Sequence, residues 1–504
     1  MVFTLRRSVA ALLLSLAAIA AVADNTPKVA LENSETLFTM LAAINTCGYD
    51  AELSVSNPLR AEIRSEVAKA EVTDDAKDVT HLICQFYQDH QQADPSRTLS
   101  QYISLALYLT PPPELALKGK EADLPPDAAY VIGILPMLPR FYETTGLHSI
   151  WEKHQAEYSA LSDRYHEPLS KMLFDTEVYL KIPSAGYLGR TFTVYLEPMG
   201  APGQTNARNY GTEYSVVLSP GTNSTLKMDQ IRHAYLHYLL DPLAMKYPET
   251  MDRLQPLLAT VQGAPMDPGF KTDVSLLVTE CLIRAIEVRT GPSGKIPAAQ
   301  QEGQVKKANE QGFILTQYFY DALGQFEKSP MGLKNAYADL MNGIDVRKEQ
   351  KRAAGIQFAA QAEPELLQPS HPVEGKLLQT AEQRLSAGDP EGAKKLAEQA
   401  LTEKSEDQGR ALFILAQVAT MNRDIKGAQG YFEQALSVAQ EPKVLAWSHI
   451  YLGRIFDLQE DREQALTHYR AALTAGASLP EAKAAAERGL AQPYEPPHAQ
   501  QPQP

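Results

Sequence analysis

The sequence predicts an α+β fold that is mostly α: a helical N-terminal region, a domain built round one small sheet, and a closing stack of helical hairpins. Three observations carry this. Apolar residues recur at helical spacing over most of the 504-residue chain. Two segments, RTFTVYLEP at 190–198 and TEYSVVLS at 212–219, are rich in β-branched and aromatic residues and bounded by Gly or Pro, so they read as strands. From about residue 376 a pattern of small residues returns at intervals of 35 and 37 positions. With 44% apolar and 21% charged residues the composition is that of a globular protein. It excludes a mostly disordered chain and a multi-span membrane protein. The length exceeds what one core sustains, so two or three domains are expected.

The chain opens MVFTLRRSVAALLLSLAAIAAVADN. Arg6 and Arg7, the apolar run 8–20 and the small-residue site Ala21-Val22-Ala23 read as a secretory signal peptide over 1–23, cut after Ala23. The run is short for a span of about 20 residues, so no membrane span is expected after cleavage. The expected location is periplasmic or secreted. In that oxidising setting two readings of the cysteines stand: Cys47 paired with Cys84 and Cys281 left over, or three buried free thiols. There are 47 Lys and Arg against 61 Asp and Glu, a net charge of −14 without basic blocks. Nucleic acid is not an expected partner, because phosphate contacts dominate such binding.

Residues 24–343 read as one folding unit. The segment SETLFTMLAAINTCGY has an N-cap candidate in Ser34 and a stop at Gly48, and DVTHLICQFYQDH and LSQYISLALYL are amphipathic. Pro-rich breaks at 111–113 and 125–126 follow, then a helix over about 146–180. The stretch GAPGQTNARNYG between the two strands reads as a loop. Further helices are expected near 226–241, 249–262, 273–289, 300–328 and 332–342. Residues 344–375 read as a linker, 376–490 as the repeat array, and 491–504 as a Pro/Gln tail with nothing to bury.

Within the array, Ala381, Ala416 and Gly453 are followed at +12 by Ala393, Ala428 and Ala465. At +16 come Ala397, Phe432 and Tyr469, and at +19 Ala400, Ala435 and Ala472. This resembles the tetratricopeptide repeat, in which small residues mark helix crossings and an aromatic fills the gap. The resemblance implies an α-solenoid of three hairpins, closed by a capping helix at 481–490, whose groove takes a peptide or protein partner. With 14 basic and 16 acidic residues in 376–490, charge makes no choice of partner.

One constellation suits chemistry. His233 and His237, four apart, share a helical face, the spacing at which one helix offers two imidazoles to a metal. Glu280 follows on a later helix, where a carboxylate serves as third ligand. A strand pair, a two-histidine helix and a glutamate helix, over about 185–290, resemble the gluzincin zinc peptidases. The resemblance implies zinc on His233, His237 and Glu280, with Thr212–Ser219 as the strand beside the cleft. The family motif H-E-x-x-H is departed from: the position of its general base is Ala234. The loss of such a base removes typically about 10²–10⁴-fold in rate. Glu213, on the cleft strand, is the one candidate substitute. Against the metal site stands a structural reading, in which the histidines are hydrogen-bonded core and Glu280 belongs to a ladder with Arg284 and Glu287. The expectation is an exported peptide- or protein-binding factor with a catalytically impaired peptidase-like domain. The alternatives are an active zinc peptidase with a non-standard base, and a metal-free scaffold.

Overall fold

The computed structural model describes residues 28–494, apart from 122–123, 183–189, 211–212, 223–224, 292–295, 364–376, 387–388, 404–406 and 477–478. The expected signal peptide at 1–23, the later part of the expected linker and most of the expected tail lie outside the described residues. The architecture is mostly helical with one four-stranded mixed sheet. Among the described residues no helix is long and apolar enough to cross a membrane.

The sheet is built from β1 (Lys28–Glu32), β2 (Thr191–Leu196), β3 (Thr205–Tyr210) and β4 (Glu213–Leu218), in the order β1-β2-β4-β3. β1, β2 and β4 run parallel; β3 is antiparallel to β4, with Ala207 opposite Val216. Both expected strands are present. The expected loop between them holds β3 instead. Its residues TNARNY lack a β-pattern, and the strand is held by tertiary bonds. Arg208 donates to Ser100 O at 3.2 Å and to Asp127 Oδ2 at 3.3 Å, while the Tyr210 and Ser104 hydroxyls lie 2.8 Å apart.

Helices cover both faces. Phe192, Val194, Leu196, Tyr214, Val216 and Leu218 pack with Leu161, Tyr165 and Leu169 of the helix Gln155–Leu180. Ile231, Ala234, Tyr235 and Tyr238 of the helix Met228–Lys246 complete that layer. The opposite face, through Val217 and Tyr195, joins the N-terminal helical core around Phe38, Leu41 and Trp151. Ser34 caps the helix Glu35–Thr46 by accepting from Leu37 N at 3.2 Å. Cys47 and Cys84 are disulfide-bonded, and Cys281 is buried and free.

The histidine helix, Met228–Lys246, also enters a second core. Its Leu236, Leu240 and Leu243 pack with Leu277, Cys281 and Ile314. Apolar contact on two sides explains why its apolar residues do not fall on a single stripe. The glutamate helix, Val274–Thr290, starts at Asp273, whose carboxylate accepts from Ser275 N and Leu276 N. The expected linker begins later than residue 344. Val346–Ala353 is helical, Ile356 and Phe358 pack against the second core, and Ala359 N donates to Glu310 O at 2.8 Å. These few apolar residues are too irregularly spaced to announce a helix.

The C-terminal part consists of three helix pairs and a closing helix. The pairs are Leu377–Ser386 with Pro390–Glu403, Gln408–Met421 with Ile425–Val438, and Pro442–Leu458 with Arg462–Ala475; Pro480–Ala491 closes the stack. The repeated positions are buried in all three pairs. Gly453 has a steric reason: a Cβ there would sit 2.6 Å from the Tyr469 ring. First helices of successive pairs pack on one another, and each second helix reaches the next pair through that pair's first helix. The first helices therefore line the inner side of the stack.

Candidate metal centre

His233 and His237 stand one turn apart, ring centroids 5.0 Å from each other, on the side of their helix that faces the glutamate helix. Both present Nε2 to the same oxygen, Glu280 Oε2, at 3.3 and 3.2 Å. The outer nitrogens are backed by carboxylates. His233 Nδ1 is 3.0 Å from Glu287 Oε1, and His237 Nδ1 is 2.9 Å from Asp241 Oδ1. Arg284 Nε lies 2.7 Å from the remaining oxygen of Glu280, and its guanidinium rests 3.8 Å from the centre of the Phe313 ring. Glu280 and His233 are almost fully buried, whereas the side chains of His237 and Asp241 are 16% and 29% exposed. The centre opens on that side.

Charge in this enclosure is strongly coupled. Burial works to lower the histidine pKa values, but Glu280 with Glu287 outweighs it at His233, raising it to about 9. Asp241 with Glu280 raises His237 to about 10. Burial works to raise Glu280, and His233 and Arg284 outweigh it, holding the carboxylate well below its usual range. Without a metal the two histidines and Glu280 favour their charged forms together, with Arg284 beside them.

The three ligand atoms lie within 4.8 Å of one another, close enough for one ion at about 2.0–2.2 Å from each. Two imidazole nitrogens and one carboxylate oxygen are a donor set suited to zinc. The Glu287 and Asp241 contacts fix both rings with Nδ1–H outward and Nε2 inward, the backing that metal-bound histidines have. The residues present thus fit the ion. Glu287 does leave the ladder for His233, while the Arg284–Glu280 contact of that reading exists as well. Asp241 was legible in principle, four residues after His237.

Two sequence expectations are corrected. Glu213 does not join the histidines: its Oε1 lies 3.2 Å from Lys443 Nζ, a residue of the C-terminal stack. The strand Thr212–Ser219 does not border a cleft either, because β4 lies inside the sheet between β2 and β3; the antiparallel edge is β3. Ala234 is fully buried in the apolar layer between the histidine helix, the sheet and the helix Gln155–Leu180. Comparison of the chain with models of protein families, with curated proteins and with solved structures finds no match in any of the three.

Proposed function

We propose that this chain is an exported peptide- or protein-binding factor whose peptidase-like domain holds zinc without efficient hydrolysis. The observation that carries the reading is the contrast between two adjacent positions on one helix. His233 is backed by a carboxylate as a ligand would be, and the next residue, Ala234, is sealed in apolar packing where a peptidase needs its base. Zinc, when bound, supplies Lewis acidity at the open side near His237 and Asp241. His233, His237 and Glu280 hold the ion, Glu287 and Asp241 orient the rings, and Arg284 keeps Glu280 ionised. The gluzincin resemblance is supported by the mixed sheet with its antiparallel edge strand, followed by the histidine helix and then the glutamate helix.

The three stacked pairs act, on this reading, as a tetratricopeptide array that binds a peptide or protein segment, and the signal peptide delivers the chain to the periplasm or medium. The test is metal analysis of the purified protein beside a His233→Ala/His237→Ala variant, with a peptide library as substrate. About one zinc per chain in the wild type, none in the variant and no chelator-sensitive cleavage are expected. No zinc in the wild type favours the metal-free scaffold. Cleavage abolished by a chelator favours an active peptidase with another base.

A further inference from the structure

The helical stack does not stand clear of the body. Lys443, at the start of the third pair, meets Glu213 at the start of β4, Nζ to Oε1 3.2 Å. Lys120 of the body meets Asp407, the N-cap of the helix Gln408–Met421. The first stack helix, Leu377–Ser386, packs against the histidine helix, where Thr380 and Arg384 line a cavity of about 200 Å³ together with Ala244, Met245 and Asp252. The helix contact comes next to the metal centre. Ala244 follows Asp241 by three residues on the same helix. The Lys443–Glu213 pair sits on the other face of the sheet, since Glu213 alternates with Tyr214, whose ring meets Tyr238 of the histidine helix at 6.1 Å.

The residues involved belong to the inner side of the stack. Glu382, Arg410 and Lys443 come from the first helices of the three successive pairs, and Arg410 clamps Glu382 with two bonds of 2.7 Å. The Lys443 amine feels both Glu213 and Glu382. This is the side on which such a stack would take a partner, and here the chain's own body takes it. The join is loosely built. Lys443 and Glu213 are 46% and 52% exposed, so salt screens their attraction. The cavity leaves part of the helix contact unpacked, in keeping with the separable interfaces found between domains.

We infer that the inner face of the stack is a docking surface for the chain's own metal-bearing body, that its first helix, seated one turn beyond Asp241, covers the open side of the metal centre, and that the Lys443–Glu213 and Lys120–Asp407 pairs are salt-sensitive latches that hold this cover in place. A partner binding the inner face must displace Glu213, and an acidic side chain does so best. The function of the cover rests on the zinc reading; its existence does not.

The experiment measures small-angle scattering and the rate of zinc capture by a chelating dye, on the full chain, at low and high salt. The proteins compared are wild type, Lys443→Glu, Glu213→Lys and the Lys443→Glu/Glu213→Lys swap. Expected are a larger radius of gyration and several-fold faster zinc capture at high salt and in either single variant, both reversed in the swap at low salt. A swap that fails to restore either value while circular dichroism shows a folded chain overturns the inference. So does a wild-type radius and capture rate indifferent to salt. If no zinc is bound, scattering alone still reads the cover, and only the metal reading fails.

Discussion

Among the described residues, two groups of three histidine or carboxylate side chains bring their ligand atoms within 4.8 Å of one another: His233, His237 and Glu280, and Glu62, Glu66 and His154. In the second, Glu62 and Glu66 sit one turn apart on the helix Pro58–Ala70, and His154 Nε2 lies 3.3 Å from Glu66 Oε2. Lys153 already holds the other oxygen of Glu66. Both clusters keep a fixed cation on one carboxylate oxygen, Arg284 at Glu280 and Lys153 at Glu66. The difference lies in the imidazoles. Around Glu280 there are two, each held at Nδ1 by a carboxylate within 3.0 Å, whereas the one imidazole beside Glu66 has its Nδ1 3.7 Å from Glu157. Near neighbours alone do not make a metal centre; the rings must be held with a nitrogen turned inward.

That contrast breaks first on metal content. His233→Ala/His237→Ala is expected to take zinc from about one per chain to none, and His154→Ala to leave it unchanged. Loss of zinc in the His154→Ala protein, measured by elemental analysis, reverses the assignment of the two clusters. The next largest effect is on stability. Ala234→Glu puts a carboxylate into the apolar layer beside Phe192 and Tyr165. A loss on the order of 3 kcal/mol is expected in urea denaturation, with no gain in peptide cleavage. A stable variant with new chelator-sensitive cleavage shows instead that the side chain reaches the metal.

Smaller changes sharpen the comparison. Glu287→Gln and Asp241→Asn each remove the charge behind one imidazole. A loss of about 10–100-fold in zinc affinity is expected by competition with a chelator, and an unchanged affinity means that the backing carboxylates are ornamental. A further test concerns Glu197, a buried carboxylate whose Oε1 accepts from the Tyr158 hydroxyl and Met199 N, both at 3.0 Å. Burial pushes its pKa from 4.5 up to about 8. A carboxyl raised on folding contributes stability that is present below pH 4.5 and lost progressively as pH rises to about 8. Glu197→Gln does not titrate, so its melting temperature should gain on the wild type between pH 5 and pH 8. Parallel curves for the two proteins show that Glu197 is already ionised.

The stack was legible because each pair repeats the same small residues at the same offsets, and the candidate ligands because two of them share one helix face. β1 was not, since KVALE is five residues long, nor was β3, whose Asn and Arg residues owe their place to Ser100, Asp127 and Ser104 rather than to a strand pattern. The expected helix over 300–328 breaks at Gly312, whose φ of +109° suits glycine, and Phe313 N returns to Ala308 O at 3.0 Å. The role given to Glu213 failed because its side chain shares the face of β4 with Val217, away from the histidine helix. The cleft strand failed because the edge of a sheet depends on pairing order, and pairing order leaves no mark on spacing.

The histidine helix packs into the sheet layer on one side and into the second core on the other. It is therefore a keystone: neither core can melt while the other keeps that helix in place. An ion gripped between this helix and the glutamate helix adds its binding free energy to the whole body at once, by mass action. The stack, whose pairs lean mainly on their neighbours, can unravel on its own schedule. In a calorimeter the chain should show two heat-absorption peaks, of which zinc moves only one.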